Sequence, residues 1–345
     1  MEAKPAQQIL QMLTGYWTSQ AIYVAAKLGI ADLVNGGPKS SPELAQATGT
    51  HAPALYRLLR MLASAGIFAE DDQGRFGMTE LARCLVDAPG SQRAAALMMG
   101  EEHFRCWGEL EYSIRTGKTA FDHIFGQPVF DYLSAHPDKA KIFDAAMVGI
   151  HGAETQAMLD AYDFAGVGTL VDVGGGNGSV LCATLKRHPA LRGLLYDLPG
   201  VIERARQTIA QAGLGDRCRA IGGSFFETVP SGGDAYLMRH IIHDWTDEQS
   251  LTILRHCRSA MGPAGRLLLV ESVIPPGNAP SFAKQLDVNM LVIPGGKERT
   301  EAEYQALFQS ADFRLTRIVP TAMEISIIEG TPLPGPAKAA SESGK

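Results

Sequence analysis

One glycine-rich stretch, residues 169–179, constrains the fold of this chain more than any other. The apolar run from Thr169 to Val173 ends in five residues of which four are glycine, and a helix-like segment follows at once. This pattern predicts a buried strand, a tight turn and a helix N-terminus, where missing side chains let a ligand approach the backbone. Asp197 ends a second apolar run about 20 residues further on, where a carboxylate is placed to hold a ribose diol.

The spacing of the glycines separates two kinds of nucleotide-binding turn. A dinucleotide fold requires G-x-G-x-x-G, and although Gly174 and Gly176 fit this pattern, Ser179 stands at the third glycine position. The chain instead carries Asp172-x-Gly174-x-Gly176-x-Gly178. That motif resembles the first motif of the class I S-adenosylmethionine (SAM) methyltransferases. We interpret Asp172 as a residue that orders the turn.

Composition restricts the partners and the compartment. The chain has 345 residues, enough for two domains, and its 46% hydrophobic and 20% charged residues are typical of a globular protein. A formal charge of −6 argues against a nucleic-acid partner held through phosphates. The five cysteines form no C-x-x-C pair and are an odd set for disulfides. Because we find neither a signal peptide nor an apolar run of membrane-spanning length, we expect a cytoplasmic protein without membrane association.

The N-terminal region is predicted to be a helical domain that ends in a hairpin. Residues 6–29 form a mostly helical opening whose apolar surface needs a partner, either within the chain or from a second subunit. Ser41 is expected to cap the next helix, with Pro42 at its first position. Two short strands at 66–70 and 75–78 then flank a turn. One helix face is marked by apolar residues at helical spacing, namely Leu55, Leu58, Leu59 and Leu62.

Helix, helix and hairpin are the outline of a winged helix, which raises the question of DNA binding. The second helix carries only Arg57 and Arg60, and the turn of the hairpin is acidic. Because affinity for DNA depends on basic side chains, we favour a dimerisation domain and a homodimer over a DNA-binding module.

The second half of the chain alternates between strands and helices. Strands are predicted at 169–173, 192–196, 217–221, 234–238, 265–271, 313–319 and 323–329. Capping boxes at Thr246 with Gln249 and at Thr300 with Glu303 mark two of the intervening helices. The fold class is therefore α/β, a doubly wound Rossmann-like SAM methyltransferase sheet preceded by an all-helical winged-helix dimerisation domain.

Four segments follow from these patterns. We expect a winged-helix-like dimerisation domain over residues 1–100 and a helical linker over 101–165 that contributes to the substrate pocket. A Rossmann-like SAM-binding catalytic domain should cover residues 166–330, and residues 331–345, rich in Pro, Ala and Ser, should be a disordered tail.

Polar residues follow five consecutive predicted strands. Ligands of open α/β sheets bind beyond the carboxyl ends of the strands, so these positions should share one site. The ends carry, in order, the glycine turn, Asp197, the segment 222–225, the segment 239–245 and Glu271. A sheet with a purely structural role would have little reason for such a series.

Three segments make the resemblance specific. His243-Asp244-Trp245 after a strand, Glu271 after the next, and the segment Pro-Gly-Gly-Lys-Glu-Arg-Thr at 294–300 together look like the small-molecule O-methyltransferases. Plant caffeate and flavonoid enzymes, the hydroxyindole enzyme and bacterial natural-product tailoring enzymes share this set. The resemblance covers nearly the whole chain and implies SAM as the methyl donor.

The resemblance also implies which residues hold SAM. Gly174 and Gly176 would take its methionine part, Asp197 its ribose hydroxyls, and Leu198 would pack on the adenine.

The adenine end departs from the family pattern. Gly223, Ser224 and Phe225 would form the loop there, but Ser224 replaces the usual Asp, and a stacked Phe225 could offset the weaker partner. Arg239 stands where plant members have a Lys near the cofactor.

For catalysis, the resemblance makes His243 the general base and Glu271 and Glu298 the two acids that bracket it. The chemistry supports this independently, because a neutral phenol with a pKa near ~10 is a poor nucleophile and an imidazole can take its proton during attack. A carboxylate bonded to the other ring nitrogen fixes the tautomer and favours the imidazolium, and we expect Glu271 in that role, with Glu298 approaching from the other side. Asp244 is interpreted as a capping or dipole residue of the next helix.

Substrate-pocket residues can be assigned only by family position or by type, with core packing as an equal alternative. The candidates are Trp107, Phe143, Met147, Asn289 and Met290. We expect no metal, because the acids and histidines lie on separate strand ends without the spacing of a metal motif.

Four functions remain open at this stage. The leading one is SAM-dependent methylation of a phenolic or enolic hydroxyl on an aromatic small molecule of secondary metabolism. The second is methylation of nitrogen or carbon on a heteroaromatic ring such as a phenazine or an indole. Two weaker ones are a SAM-binding hydroxylase or decarboxylase, which would have little use for His243, and a non-enzymatic winged-helix regulator.

Overall fold

The computed structural model describes residues 4–334 and divides them into two compact units. The first unit comprises residues 4–115 and 120–152, and the second comprises 116–119 and 153–334.

The first unit is mainly helical. Its helices are α1 (Pro5–Leu13), α2 (Gly15–Lys27), α3 (Ile30–Val34), α4 (Ser41–Thr48), α5 (Ala52–Ser64), α6 (Glu80–Arg83), α7 (Arg93–Met98), α8 (Phe104–Gly108), α9 (Leu110–Thr116), α10 (Ala120–Phe125), α11 (Val129–Ala135) and α12 (Pro137–Ala161), of which α12 continues into the second unit. Strands β1 (Lys39–Ser40), β2 (Phe68–Glu70) and β3 (Arg75–Met78) form an antiparallel sheet in the order β1-β3-β2.

Two details of this unit correct the expectations. The N-terminal domain is not all-helical. The predicted hairpin β2–β3 is present, and the additional strand β1 pairs with it to form a three-stranded sheet. Ser40, rather than Ser41, caps α4: its hydroxyl accepts from the Glu43 amide at 3.5 Å, and the Glu43 carboxylate accepts from the Ser40 amide at 2.7 Å. The backbone of Ser40 is extended, which places its side-chain oxygen over the first turn of α4.

The second unit contains a mostly parallel seven-stranded sheet with helices between the strands. The strands of this unit are β4 (Thr169–Val173), β5 (Arg192–Asp197), β6 (Cys218–Gly222), β7 (Ala235–Arg239), β8 (Arg266–Glu271), β9 (Val273–Ile274), β10 (Arg299–Thr300), β11 (Phe313–Pro320) and β12 (Ser326–Pro332). Seven of them form the main sheet, and β9 and β10 pair with each other separately. Its further helices are α13 (Ser179–Arg187), α14 (Pro199–Gln211), α15 (Asp247–Ala260), α16 (Phe282–Val292) and α17 (Glu301–Ser310). All seven predicted main strands and both predicted capping boxes are present.

The order of the strands positions the site. The sheet has the order β11-β12-β8-β7-β4-β5-β6. Strands β8, β7, β4, β5 and β6 are parallel to one another, and β12 is antiparallel to both of its neighbours, β8 and β11. The chain leaves β4 toward β5 and β6, then crosses back to β7 on the other side. The carboxyl ends of β4 and β7 therefore flank the switch point, where ligands of such sheets bind.

Fully buried aliphatic side chains cover both faces of the central strands. Leu170 and Leu237 belong to one cluster, and Val171 and Tyr236, their neighbours along the strands, belong to the other. Burial on both faces explains why β4 and β7 read as nearly continuous apolar runs.

Three remaining expectations concern the ends and the surface of the chain. Strand β12 runs to Pro332, and residues 335–345 of the predicted tail lie outside the described residues. All five cysteines are free. Within residues 4–334, no helix combines the length and apolar character that a membrane crossing requires.

Candidate functional site

The glycine turn after β4 has no room for a side chain at Gly174 or Gly175. Gly174 has a φ of +73°, and a Cβ there would lie 2.5 Å from Cδ1 of Ile241. A Cβ on Gly175 would lie 2.8 Å from the Asp172 carboxylate, which supports the interpretation that this acid orders the turn. Burial raises the pKa of Asp172 to about 7, because the nearby Arg239 charge only partly offsets the loss of water. The turn thus presents bare backbone at the switch point.

Asp197 closes the same cradle from the end of β5. Its Oδ2 accepts a hydrogen bond from the Gly176 amide at 2.8 Å, and its Oδ1 accepts one from the Leu198 amide at 2.6 Å. Half of the Leu198 side chain is exposed beside it. A carboxylate, an exposed aliphatic side chain and open glycine backbone are what a nucleoside with a charged amino-acid tail requires.

The loop after β6 and the end of β7 complete this edge. Gly223 packs against Tyr196, whose hydroxyl a Cβ would approach to 2.3 Å. Ser224 Oγ accepts from the Phe226 amide at 3.2 Å, and the half-buried Phe225 ring stands edge-on to Trp245.

Arg239 is half-buried at the end of β7. Its Nη1 donates to the Thr155 hydroxyl at 2.9 Å. The predicted cofactor residues of β4 to β7 therefore lie at the carboxyl edge of adjacent parallel strands.

His243 lies in a single 3-10 turn, Ile242–Asp244, that follows β7. Its Nδ1 donates to Oε1 of Glu298 at 2.6 Å, and both side chains are buried. This bond leaves Nε2 as the ring nitrogen with a lone pair, 3.6 Å from Oδ1 of Asp244. A histidine held in this tautomer is prepared to accept a proton at Nε2.

Glu271 holds the backbone of that turn. Its Oε1 accepts from the amides of Ile241 at 3.1 Å and Ile242 at 2.9 Å. Its Oε2 is completely buried, has no hydrogen-bond partner among the described residues, and lies 3.6 Å from Nδ1 of His243. At that distance there is no hydrogen bond, so the orienting carboxylate is Glu298, and Glu271 does not have the role we expected for it.

A short strand pair that was not predicted from the sequence explains why Glu298, and not Glu271, bonds the imidazole. Strand β10 pairs in parallel with β9, so that Arg299 lies opposite Val273. Glu298, one residue before β10, is thereby brought beside Glu271 and under the imidazole. The Asp287 carboxylate of α16 also accepts from the Glu298 amide at 3.0 Å and fixes the loop.

The acids determine the charge of this cluster. Burial alone would lower the pKa of His243, but Glu271, Asp244 and Glu298 outweigh it and raise the pKa above the usual value of an imidazole. Burial also raises the pKa of Asp244 to about 6, although His243 opposes that shift. The surroundings of the ring therefore stabilise the imidazolium that proton uptake would form.

Sequence reasoning missed two features that hold the His243 turn. A Cβ on Gly296 would lie 1.9 Å from the His243 carbonyl oxygen, so only glycine allows the loop to approach. Arg299 is completely buried and donates to the carbonyls of Ile242 at 3.0 Å and Trp245 at 3.1 Å. Both belong to the Gly-Gly-Lys-Glu-Arg-Thr segment, whose letters gave no hint of these contacts.

Asp244 does not have the role we expected for it, and His240 was not singled out from the sequence. Asp244 does not cap α15, because Thr246 does, with Gln249 completing the box. His240 has a φ of +52°, and its Nε2 lies 2.8 Å from Oε2 of Glu154. Its place directly after β7 was the one available signal for it.

The predicted substrate residues are divided between the two units. Trp107, Phe143 and Met147 lie in the first unit, where Trp107 is 39% exposed and the other two pack partly buried on one small cluster. Asn289 and Met290 lie on α16 in the second unit, and the Met290 side chain is buried.

Comparison with known proteins gives the family. Residues 107–314 match the model of the O-methyltransferase domain, and residues 10–88 match that of the O-methyltransferase dimerisation domain. The chain belongs to this family of SAM-dependent O-methyltransferases.

Relatives and solved structures agree with that assignment. The chain is 47% identical over 326 residues to the phenazine O-methyltransferase PhzM of Lysobacter antibioticus, covering 94% of this chain and 96% of that one. It is 34% identical to the phenazine-1-carboxylate N-methyltransferase of Pseudomonas aeruginosa, covering 94% and 96%. A crystal structure of LaPhzM superposes with a TM-score of 0.93 at 46% identity, covering 96% of this chain and 100% of that one. The neocarzinostatin-pathway O-methyltransferase NcsB1, solved with SAM and 2-hydroxy-5-methyl naphthoic acid, superposes at 0.81 with 35% identity, covering 92% and 96%.

These findings confirm SAM as the cofactor and a methyltransferase fold with a dimerisation domain in front.

Proposed function

We propose that this protein methylates a phenolic or enolic hydroxyl of an aromatic small molecule, with His243 as the general base. The observation that carries the proposal is the buried 2.6 Å bond from Nδ1 of His243 to Glu298, which leaves Nε2 able to accept the proton of an attacking hydroxyl. General-base assistance of this kind is useful to an oxygen nucleophile that is neutral at working pH.

Each residue of the site has a task in this proposal. Bound SAM supplies an electrophilic methyl group on a sulfonium. The glycine turn and Asp197 hold that cofactor, and Arg239 completes the pocket from β7. Glu298 keeps His243 in the accepting tautomer, while Glu271 fixes the turn backbone that carries the ring. The acids around the ring stabilise the imidazolium until the proton leaves.

The acceptor is proposed to be a flat ring system of secondary metabolism with a polar edge. Support comes from the phenazine and naphthoate compounds named for the relatives. The test is a methyl-transfer screen with labelled SAM against phenols, hydroxyphenazines, quinones and indoles. Transfer to hydroxyl-bearing members alone supports the proposal, and transfer to none of them contradicts it.

Methylation of a ring nitrogen is a second candidate, because one relative that matches 94% of this chain is named as a phenazine-1-carboxylate N-methyltransferase. A heteroaromatic nitrogen carries a lone pair without losing a proton, so it needs no base. Locating the label on the product separates the two: an ether methyl supports the leading proposal, and an N-methyl group supports the alternative.

Replacing Asp197 with Asn should weaken SAM binding by roughly ten- to a hundredfold. The substitution removes a charged acceptor, and hydrogen bonds to charged groups contribute about 1.5–3 kcal/mol each. Asp197 also anchors the Gly176 amide, so the cradle itself would loosen. Isothermal titration with SAM measures the change. Asp216→Asn, at an exposed acid before β6, is the matched control and should bind like wild type. Equal affinity for all three proteins would rule out the proposed role of Asp197.

We also propose that the protein is a homodimer. No residue of α1 is buried. A set of apolar and aromatic side chains on α1 and at the start of α2 is more than half exposed, namely Ile9, Leu10, Met12, Leu13, Tyr16 and Trp17. A patch of this kind on a monomer usually marks an interface. Light scattering should show a dimer for wild type and for Leu81→Glu, an exposed apolar site elsewhere, but a monomer for Leu13→Glu. A monomeric wild-type protein would contradict the proposal.

A further inference from the structure

A second histidine, His240, faces Glu271 beside His243, and the centroids of the two rings lie 5.0 Å apart. Nδ1 of His240 lies 3.7 Å from Oε2 of Glu271, and Nδ1 of His243 lies 3.6 Å from the same oxygen. Ligand-type atoms of His240, His243 and Glu271 all lie within 4.8 Å of one another. Two imidazoles and a buried carboxylate oxygen thus converge on one point.

These separations are too long for hydrogen bonds and close to those across a metal ion. Hydrogen bonds of this type span about 2.7–3.2 Å. Ligands of a tetrahedral zinc ion, each at about 2.0–2.1 Å from the metal, lie about 3.4 Å apart. A contraction of a few tenths of an ångström would therefore bring Glu271 Oε2 to coordinating geometry with each Nδ1, and the ligand atoms of the three residues already lie within 4.8 Å of one another.

Glu298, whose Oε1 lies 2.6 Å from Nδ1 of His243, is the candidate for a fourth ligand and would balance the charge. Its Oε2, like Oε2 of Glu271, is buried and has no hydrogen-bond partner among residues 4–334. Two carboxylates and two neutral imidazoles around a divalent cation give a neutral buried cluster. Charges in a protein interior persist when they are paired or coordinate a metal.

The outer contact of His240 matches that of a metal ligand. Its Nε2 donates to Glu154 Oε2 at 2.8 Å, which leaves the lone pair on Nδ1, the atom that faces Glu271. Ligating histidines characteristically donate their other ring N–H to a carboxylate, which fixes the tautomer. The left-handed backbone of His240, at a φ of +52°, holds the ring in this direction.

We propose that His240, His243, Glu271 and Glu298 bind a divalent transition metal of the zinc class, and that the bound ion switches His243 off as a base. The ion takes the lone pair of His243 Nδ1, and the proton that Nδ1 carried moves to Nε2. Nε2 then has an N–H where an accepting lone pair is needed, so the ring cannot take a proton from a hydroxyl. The metal is an inhibitor in this inference, and the binding part of it does not depend on the proposed function.

The binding test uses the full-length protein with Cys84→Ser, because Cys84 is the exposed thiol that could bind zinc by itself. Zinc and cobalt(II) are titrated separately, with Mg²⁺ as the hard-cation comparison. We expect one zinc ion per chain, no Mg²⁺ binding, and a visible tetrahedral cobalt band without thiolate-to-cobalt charge transfer. Absence of stoichiometric zinc binding, or a thiolate band, would overturn the assignment.

Three variants locate the site. Glu154→Gln keeps an acceptor for His240 but removes the charge, and should weaken zinc binding by about 10- to 100-fold. His240→Asn should weaken it at least as much, and Asn tolerates the left-handed backbone, so the turn can keep its shape. His51→Asn, at an exposed histidine of the first unit, should bind zinc like the parent. If Glu154→Gln and His240→Asn bind zinc as tightly as the parent and the His51→Asn control, the ion does not bind at this site.

The inhibition test separates this inference from the proposed function. With an acceptor found by the screen, zinc should abolish methyl transfer in the parent, a chelator should restore it, and His240→Asn should need at least about tenfold more zinc. Stoichiometric zinc binding without inhibition would overturn the switch. A screen without any acceptor would count against the proposed function while the titrations still decide the metal site.

Discussion

His243→Ala should retain SAM binding and lose methyl transfer to a phenol by about 10² to 10⁴-fold, the usual range for a positioned general base. The ring touches the acids through Nδ1 and contributes none of the cradle around the glycine turn, so the affinity for SAM has no reason to fall. Single-turnover transfer of the labelled methyl group measures the rate, and isothermal titration measures the affinity.

The size of the loss should depend on the acceptor. A phenol that is already ionised at the assay pH has no proton to give, so wild type and variant should converge as the pKa of the phenol falls. His51→Ala, at an exposed histidine, controls for the substitution and should act like wild type throughout. A variant that keeps the normal rate with a weakly acidic phenol would exclude base catalysis and favour the nitrogen acceptor.

The two acids should respond differently in the same assay. Glu298→Gln keeps a hydrogen-bond acceptor at Nδ1 but removes the charge that favours the imidazolium, so it isolates the electrostatic part of the effect. Glu271→Gln should act mainly through the turn, since Glu271 Oε1 binds two backbone amides and no ring nitrogen.

The sequence was sufficient for the parts of the fold that depend on local patterns. Strands β4, β7 and β8 are runs of mostly buried apolar residues, and the glycine turn and the His243 turn follow β4 and β7 directly. Their side chains converge because parallel neighbouring strands end at one edge, which is a general property of the topology. Capping residues were also readable, apart from a one-residue error at Ser40 and the assignment of Asp244, since Thr246 caps α15.

The rest depends on long-range packing that no local pattern encodes. The two-residue strands β9 and β10 have no periodicity, yet their pairing determines that Glu298, and not Glu271, bonds the imidazole. Strand β1 is equally short, and only the hairpin that it joins was predicted. His240 and Arg299 could be seen in the sequence, but their partners lie 86 and 52 residues away at Glu154 and Asp247.

Arg299→Lys should destabilise the second unit by roughly 1–3 kcal/mol for each buried acceptor that loses its donor. The guanidinium is completely buried and bonds Asp247 through Nε at 3.0 Å and Nη2 at 2.8 Å. It also serves Ser250 Oγ at 3.1 Å and the carbonyls of the His243 turn. A lysine has one ammonium group and cannot reach these divergent acceptors together, so several buried carbonyls would lose their donor.

The same substitution should also reduce methyl transfer by more than its effect on folding explains. Arg299 and Gly296 hold the His243 turn from one side and Glu271 holds it from the other, so loosening the clamp misplaces the base even in molecules that remain folded. Urea unfolding followed by circular dichroism gives the change in stability, and the rate is measured well below the midpoint. Arg187→Lys, at an arginine that is about half exposed and pairs with Asp160, is the matched control and should change stability by no more than about 1 kcal/mol. If Arg299→Lys unfolds at the wild-type urea concentration and keeps the wild-type rate, the turn is held by something other than this guanidinium.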